Sequence, residues 1–486
     1  MTQGTSAEQE TASRIASYRG YGGLPPLVGL EPLHEALTKG LTVHESVARL
    51  RRLYWALKRL HNIFVSRITA MPVYELKMAF GLHAHYCAEH IGEFEARVRE
   101  MRQPPTGLDK SPDAWLDLFF DEILAAPTTE ALLLGLYQYA VPAVVRALES
   151  LIADTNKLLD HPTYRICRLT LVELNDVRQY GAEALRCLVN EEQRASLANW
   201  GATLTRILAA TGDMAGTATP AVEPIERLFS RLPYRYDPVP QRDERFKDPY
   251  NMGVNAEVML FNHAVEPLPK TIMLYFKRMR EIDVPEVMAS IIVETPGKPW
   301  AYYRDMTRQL WDEARHAMMG EAGFVSIGVN WTHIPFNFTW SLGLNTKLTP
   351  KERHAVLFAI EQGLMPKNTG KQYEWEVAVA TSNRIAMLIQ DYDWADEILH
   401  ARIGKDWIVP EVGTQVAAQA YGEAAWSRTL VDWGKWRIDG LTEHRNWWPE
   451  VYREACRNWG VEPSPELLAY DVTYENTRAD LKEVAS

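Results

Sequence analysis

The hydrophobic and polar positions of this 486-residue chain repeat with the period of an α-helix over most of its length. In residues 43–70 and 73–102 apolar side chains recur three and four positions apart, with polar and basic residues between them, and residues 128–159 and 162–190 form two further helical stretches. Strand-like alternation is scarce, and the most β-like run, FVSIGVNW at 324–331, is short. The pattern therefore predicts an all-α protein.

The helical period is lost between residues 211 and 250, where Pro, Gly and Asp accumulate. We interpret 211–250 as a linker between an N-terminal helical domain, 1–210, and a second helical domain, 251–410. A tail at 411–486 is rich in Trp and Tyr. Such tails pack on their own domain or on a second subunit, which leaves a homodimer as one interpretation.

Composition narrows the class of protein. With 47% hydrophobic and 24% charged residues, the chain is typical of a globular protein with a large core. A formal net charge of −11 argues against a nucleic-acid partner. The sequence has no run of 18 apolar residues and no apolar N-terminal signal segment, so we expect no membrane span. Its 4 cysteines form no CxxC pair, which favours reduced thiols and a cytoplasmic location.

Two segments, WDEARHAMMGE and DWADEILHARIGKDW, carry the same Asp-Glu-x-x-His string on predicted helices. The residues are Asp312, Glu313 and His316 in the first copy, and Asp396, Glu397 and His400 in the second. Residues three apart lie on one helix face, so each helix presents a carboxylate and an imidazole together. One Glu-x-x-His string is expected by chance in a chain of this size. Two fuller copies 84 residues apart are much harder to obtain by chance.

A dimetal carboxylate site in a four-helix bundle takes Glu-x-x-His from two helices and one further Glu from each of the other two. Before the second copy, Glu361 lies among apolar residues, where a solvated Glu would be unusual. Before the first copy, a hairpin closed by TPGKP offers Glu281 and Glu286. A helix continuing through Pro285 favours Glu281, and a helix restarting there favours Glu286. We keep both.

Four further residues are candidates for the surroundings of the metals. A metal-bound imidazole needs a hydrogen-bond partner for its other N–H. We assign that role to Asp312 and Asp396, each accepting from the histidine of the other helix. The aromatic segment 321–345 contains His333 and Asn337, which are candidate polar contacts of a substrate channel. The alternative, which we favour, is that this segment is a packed crossover connection.

Residues 277–407 resemble the ferritin-like di-iron carboxylate superfamily, closest to members whose helices read PxxxYRDxxRxxxDEARH, as PWAYYRDMTRQLWDEARH does here. The resemblance implies a ferritin-like four-helix bundle in the C-terminal half and two Fe ions that activate O2, with Fe/Mn served by the same ligands. The N-terminal half is interpreted as a degenerate ferritin-like bundle without metal, since no Glu-x-x-His occurs on its long helices.

The function that follows is a non-haem di-iron oxidase or oxygenase acting on a small organic substrate, with an electron donor as a further partner. The length of 486 residues favours this over iron storage, for which one bundle is sufficient. The alternative is a non-catalytic ferritin-like protein that binds metal or scaffolds a partner. A hydrolytic zinc enzyme is disfavoured because the sequence has no His-Glu-x-x-His helix.

Overall fold

α-Helix is the regular secondary structure of the protein. The structure is a computed structural model, and it describes residues 4–102, 107–221, 224–367, 370–429 and 433–474. In these ranges 70% of residues are helical, no strand is formed, and the β-type contact between Val254 and Thr473 is an isolated bridge. The prediction of an all-α protein is confirmed.

The helices before residue 211 are α1 (Gly4–Ser17), α2 (Leu33–Thr38), α3 (Val43–Ser66), α4 (Tyr74–Glu100), α5 (Ala114–Leu124), α6 (Thr129–Leu133), α7 (Val141–Asp154), α8 (His161–Leu188), α9 (Glu191–Ser196) and α10 (Ala198–Ala210). Short 3₁₀ turns lie at Tyr21–Gly23 and Pro26–Gly29, and a π-helical turn, Leu134–Ala140, joins α6 to α7.

The helices after residue 250 are α11 (Ala256–Phe261), α12 (Pro267–Arg280), α13 (Asp283–Glu294), α14 (Trp300–Ser326), α15 (Thr339–Lys347), α16 (Pro350–Gly363), α17 (Lys371–Ala380), α18 (Arg384–Trp407), α19 (Val409–Val412), α20 (Gln415–Thr429), α21 (Trp433–Ile438), α22 (Trp448–Trp459) and α23 (Pro465–Leu468). A 3₁₀ turn lies at Trp331–His333, so the β-like run 324–331 joins α14 to this turn without forming a strand.

The chain divides into an N-terminal unit, Met1–Ile63 with Tyr86–Arg235, and a C-terminal unit, Phe64–His85 with Tyr236–Ser486. The chain passes from the first unit to the second between residues 235 and 236, inside the segment interpreted as a linker. The C-terminal unit also takes residues 64–85, which the sequence analysis assigned to the N-terminal domain. Buried contacts explain this assignment, because Tyr74 and Met78 pack in the core of the C-terminal unit.

In the N-terminal unit, α7 packs against α8, and His90 pairs with Glu173 at 2.6 Å from Nε2 to Oε2. The continuous helix Thr129–Asp154 is long and apolar enough to cross a membrane by length and composition. However, 78% of its most apolar window is buried inside the protein, as in a core helix.

Four helical segments of the C-terminal unit pack into a bundle. The interrupted helix α12–α13 lies against α14, α16 lies against α18, and α14 contacts α18. Glycines allow very close approach, because a Cβ added at Gly320 of α14 would lie 2.3 Å from the Met279 nitrogen of α12. On the other pair, a Cβ at Gly404 of α18 would lie 2.6 Å from Phe358 of α16. These contacts fix the register of the bundle.

The aromatic tail packs on its own unit. Trp447 and Trp448 are buried in the core of the C-terminal unit, and the Trp447 ring lies 4.8 Å from that of Phe276. Trp448 stacks on Tyr452, with ring centroids 5.1 Å apart and planes 9° apart. This is one of the two alternatives that the composition of the tail allowed, and the homodimer stays a prediction.

Candidate metal centre

The two Asp-Glu-x-x-His strings lie on the two longest helices of the bundle, α14 and α18. Side-chain caps set where α16 and α18 begin. Thr349 and Glu352 form a reciprocal capping box at the start of α16, and the Asn383 side chain accepts hydrogen bonds from two backbone N–H groups at the start of α18. Glu361 then falls in the last turn of α16, and Glu281 falls at the break between α12 and α13.

The bundle brings acidic and imidazole side chains into two groups whose possible ligand atoms lie within 4.8 Å of one another. We call the first the Glu281 half, and it consists of Glu281, His316, Asp393 and Glu397. We call the second the Glu361 half, and it consists of Glu313, Glu361, Glu397 and His400. Glu397 belongs to both. All but the half-buried Glu281 are less than 5% exposed.

Glu313 and Glu397 lie between the two imidazoles. Glu313 Oε1 is 3.2 Å from His400 Nδ1, and its Oε2 is 3.5 Å from His316 Nδ1. Glu397 Oε2 is 3.2 Å from His400 Nδ1. The His316 and His400 ring centroids are 5.8 Å apart. Carboxylates in the middle with imidazoles on either side are the arrangement that two bridged metal ions require.

Asp312 and Asp396 hold the outer nitrogens of the imidazoles in a crossed arrangement. Asp396 Oδ2 lies 3.2 Å from His316 Nε2, and Asp312 Oδ2 lies 3.4 Å from His400 Nε2. Each aspartate therefore serves the histidine of the other helix. Arg315 donates to both aspartates, at 2.9 Å from Nη2 to Asp396 Oδ2. Both Nδ1 atoms are left to face the carboxylates.

The Glu361 half contains no lysine or arginine among its four members. Burial and the neighbouring carboxylates Glu397 and Glu313 raise the pKa of Glu361 well above its usual range. Its Oε1 accepts from Gln309 Nε2 at 3.4 Å, and its buried Oε2 has no hydrogen-bond partner. In the part of the chain that the structure describes, neither Glu361 nor Glu313 pairs with a lysine or arginine. The positive charge of this half in the metal-free protein comes from His400. Burial opposes its protonation, but hydrogen bonds to Asp312, Glu313 and Glu397 outweigh burial and raise the pKa of His400 well above its usual range.

The Glu281 half contains two cations that the sequence analysis did not find. Lys371 Nζ lies 2.8 Å from Glu397 Oε1 and 2.9 Å from both carboxylate oxygens of Asp393. Arg278 donates to Asp393 and lies 3.0 Å from Glu281 Oε1. Although burial opposes ionisation of Glu281, Arg278 and Lys371 outweigh it and lower the pKa of Glu281 to about 2.

His316 adds a third positive charge in the metal-free protein. Burial opposes its protonation, but the adjacent carboxylates Asp396, Glu281 and Glu313 outweigh burial and raise the pKa of His316 to about 10. Its Nδ1 nevertheless makes no well-aligned hydrogen bond, although carboxylate oxygens lie 3.3–3.6 Å away. A buried ring nitrogen aimed into a carboxylate cluster without such a bond fits a metal ligand.

Of the two alternatives before Glu313, the structure places Glu281 in the cluster and Glu286 outside it. The side chain of Glu286 is bound by Lys77 and Arg242, and it accepts from Ser341 Oγ at 2.8 Å. The reason is where the helix breaks. The helix breaks at residues 281–282 and restarts at 283, before Pro285. It therefore neither runs unbroken from Glu281 through Pro285 nor restarts at Pro285, the two possibilities considered from the sequence.

The two candidate channel residues are engaged elsewhere. His333 is 41% exposed and lies 3.5 Å from Glu454, and the buried Asn337 accepts from Thr339 Oγ1 at 3.1 Å. Neither belongs to the two halves of the cluster. Asp393 does, and helical spacing could have found it, because it lies four residues before Glu397 on the same face.

A cavity of about 260 Å³ lies at one end of the bundle, lined by residues that include Tyr302, Lys298, His354 and Ile408. His354 is 4% exposed, and its Nε2 has no hydrogen-bond partner. Burial lowers the pKa of His354 to about 4, so the imidazole is neutral near pH 7. A larger recess of about 870 Å³ lies in the N-terminal unit around α1 and α2, and the described residues that line it include no acidic side chain.

Comparison with protein families, curated proteins and solved structures finds no match. The functional interpretation therefore rests on the geometry of the bundle and on the chemistry of its side chains.

Proposed function

We propose that the C-terminal unit is a ferritin-like bundle that binds two iron ions in the Glu281 and Glu361 halves and uses them with O2 to oxidise a small organic substrate. The observation that carries the proposal is the Glu361 half, in which three buried carboxylates and an imidazole converge without a lysine or arginine for Glu313 or Glu361. A dimetal carboxylate centre needs this ligand set from four helical segments.

Charge balance supports a resident cation. Burying an ionised carboxylate without a counter-charge costs several kcal/mol, so proteins pair such groups or use them as metal ligands. Glu361 is buried with two further carboxylates near it and with one oxygen that makes no hydrogen bond. Carboxylate and imidazole ligands without thiolates favour iron or manganese over structural zinc.

Each side chain has a definite task in this proposal. His316 and His400 would offer Nδ1 to the metals, while Asp396 and Asp312 hold their Nε2 atoms and fix the ring orientation. Glu397 spans both halves. Bound iron ions would supply O2 reduction and the oxidising power. The closely packed bundle, in which Ala314 and Ala317 are 0% exposed, keeps bulk water away from the ligands.

The cavity around Tyr302 and His354 is the proposed substrate site. His354 lies seven residues before Glu361 on α16, two turns away on the same face and roughly 10 Å along the helix axis. Its free Nε2 is available to hydrogen-bond a substrate that enters from this end. This placement replaces His333 and Asn337 as the candidate polar contacts.

The test is metal content and O2 consumption of protein purified without oxygen and loaded with Fe(II). We expect two irons per chain and Fe(II)-dependent O2 uptake, and we expect Glu313→Gln and Glu397→Gln to lose both. Glu376→Gln changes an exposed glutamate of α17 and is the matched control. If all four proteins hold the same small amount of iron, the dimetal proposal is wrong.

A second candidate function is supported by Lys371 and Arg278. Because these cations already neutralise Asp393, Glu281 and part of Glu397, the cluster also fits a buried ion-pair network in a non-catalytic metal-binding or scaffolding protein. Iron binding without substrate-dependent O2 uptake would favour this alternative.

A further inference from the structure

The two halves of the cluster are related by an approximate twofold repeat along the chain. Glu313 and His316 of α14 correspond to Glu397 and His400 of α18, and the lone Glu281 corresponds to Glu361. The repeat extends to the neighbouring turns. It therefore gives each residue around one half a counterpart around the other, and the counterparts can be compared for charge.

Two counterpart positions differ in charge. Four residues before the DExxH glutamate, α14 has Gln309 and α18 has Asp393. Three residues before the lone glutamate, α16 has Phe358 and α12 has Arg278. Gln309 donates to Glu361, whereas Asp393 accepts from Arg278, so the counterparts occupy comparable places with different chemistry.

Lys371 adds to the difference in charge between the two halves. It comes from the first residue of α17, is 1% exposed, and contacts Asp393 and Glu397 on the Glu281 side. In the described ranges, no lysine or arginine makes a corresponding contact with Glu361 or Glu313. The Glu281 half therefore holds a lysine and an arginine, and the Glu361 half contacts them only through the shared Glu397.

We infer that the protein binds its two divalent ions in a fixed order, tightly in the Glu361 half and then weakly in the Glu281 half, where the second ion must displace Lys371. This inference rests on the proposed dimetal function and adds the order of loading. A first ion relieves the repulsion among Glu313, Glu361 and Glu397. A second ion competes with an ammonium and a guanidinium that already satisfy Glu281 and Asp393.

Coulombic repulsion makes the difference measurable. A divalent ion a few ångströms from a lysine ammonium is repelled even at an effective dielectric constant of about 20, until Lys371 moves away. We therefore expect the second dissociation constant to exceed the first by at least about tenfold, or 1.4 kcal/mol.

The experiment is a titration of the full-length protein with Mn(II), following free Mn(II) by electron paramagnetic resonance. We expect two steps in the wild type. Lys371→Met should tighten the second step at least about tenfold and leave the first within a few-fold. Lys77→Met is the matched control, because Lys77 is also fully buried and paired with a glutamate, Glu286, outside the cluster. It should leave both steps unchanged.

Two ligand variants assign the steps to the halves without depending on Lys371. Glu361→Gln should remove the tight step, and Glu281→Gln should remove only the weak step. Circular dichroism and thermal unfolding of each variant show that it is folded. Two steps of equal affinity, or loss of the tight step in Glu281→Gln, would overturn the inference while leaving the dimetal proposal intact. Absence of any Mn(II) and Fe(II) binding in the wild type would overturn both.

Discussion

Replacing Glu361 with glutamine should have opposite effects on metal-free stability and on metal binding. The substitution keeps the shape of the side chain and the hydrogen bond from Gln309, but it removes a carboxylate that is buried beside Glu397 and Glu313. In the metal-free protein we expect Glu361→Gln to raise the free energy of unfolding. In the metal-loaded protein we expect the variant to lose most of the stabilisation that the ions give.

The magnitude follows from the geometry. Ligand atoms of the Glu361 half lie within 4.8 Å of one another. Two ionised carboxylates at that distance repel by about 3 kcal/mol at an effective dielectric constant of 20. Glu361 escapes part of this repulsion by holding its proton to a higher pH than a free glutamate does, and keeping that proton costs free energy above about pH 4.5. With structural relaxation, we expect a gain of roughly 1–3 kcal/mol.

The sign of the pH dependence is also determined. The folded-state pKa of Glu361 is raised above its unfolded value, so its destabilising effect exists only where the unfolded chain is ionised, above about pH 4.5. The advantage of Glu361→Gln over the wild type should therefore be absent below about pH 4.5 and should grow as the pH rises from there toward the folded-state pKa of Glu361.

Urea unfolding in the presence of a chelator, and again with Mn(II), measures both effects. The control is Glu286→Gln, because this equally buried glutamate is compensated by Lys77 and Arg242. Breaking compensated buried pairs should cost roughly 3–5 kcal/mol. A Glu361→Gln variant that is as destabilised as Glu286→Gln in chelator, or that is stabilised by Mn(II) as much as the wild type, would refute the reasoning.

Three further predictions follow from individual contacts. Asp396→Asn should weaken metal binding about 10–100-fold in a Mn(II) titration, because the His316 ring loses the carboxylate that orients it, whereas Asp391→Asn on the exposed face of the same helix should change nothing. Gly320→Ala should lower the free energy of unfolding by roughly 1–3 kcal/mol, since the added Cβ would lie 2.3 Å from a backbone nitrogen of α12. Burial opposes ionisation of Glu257, but the adjacent lysine and arginine lower its pKa to about 2. Its stabilisation is therefore present above pH 4.5 and lost as the pH falls toward 2, so the stability difference between wild type and Glu257→Gln should shrink over that range.

The helices of the bundle were predictable because their signals are local. Periodicity predicts the helices that carry the DExxH strings, and the TPGKP turn falls between the end of α13 at Glu294 and the start of α14 at Trp300. The break at residues 281–282 was not predictable from Pro285. That proline lies in the first turn of α13, where its missing N–H is not needed, so it neither breaks nor kinks the helix.

Glu-x-x-His spacing alone does not define a metal ligand, and Glu31 and His34 show why. Glu31 precedes α2, and its carboxylate accepts a hydrogen bond from the Leu158 backbone N–H at 3.2 Å. Asp393 could have been found by its spacing from Glu397. Lys371 could not have been found, because it enters the cluster through the packing of α17, a helix without any motif.

The cations of the cluster explain how its carboxylates can be buried together without metal. A bundle with five converging carboxylates could not fold stably without metal unless the protein supplied positive charge. Lys371, Arg278 and protonated His316 supply that charge on the Glu281 side. Glu361 has the apolar Phe358 and the neutral Gln309 in the counterpart positions, so its positive neighbour is the His400 imidazole. In the proposed dimetal function, the repulsion at Glu361 is part of the free energy that a first metal ion would recover on binding. Metal affinity and metal-free instability would then share one physical origin in the Glu361 half, whereas Lys371 and Arg278 would stabilise the other half before loading and lower its affinity.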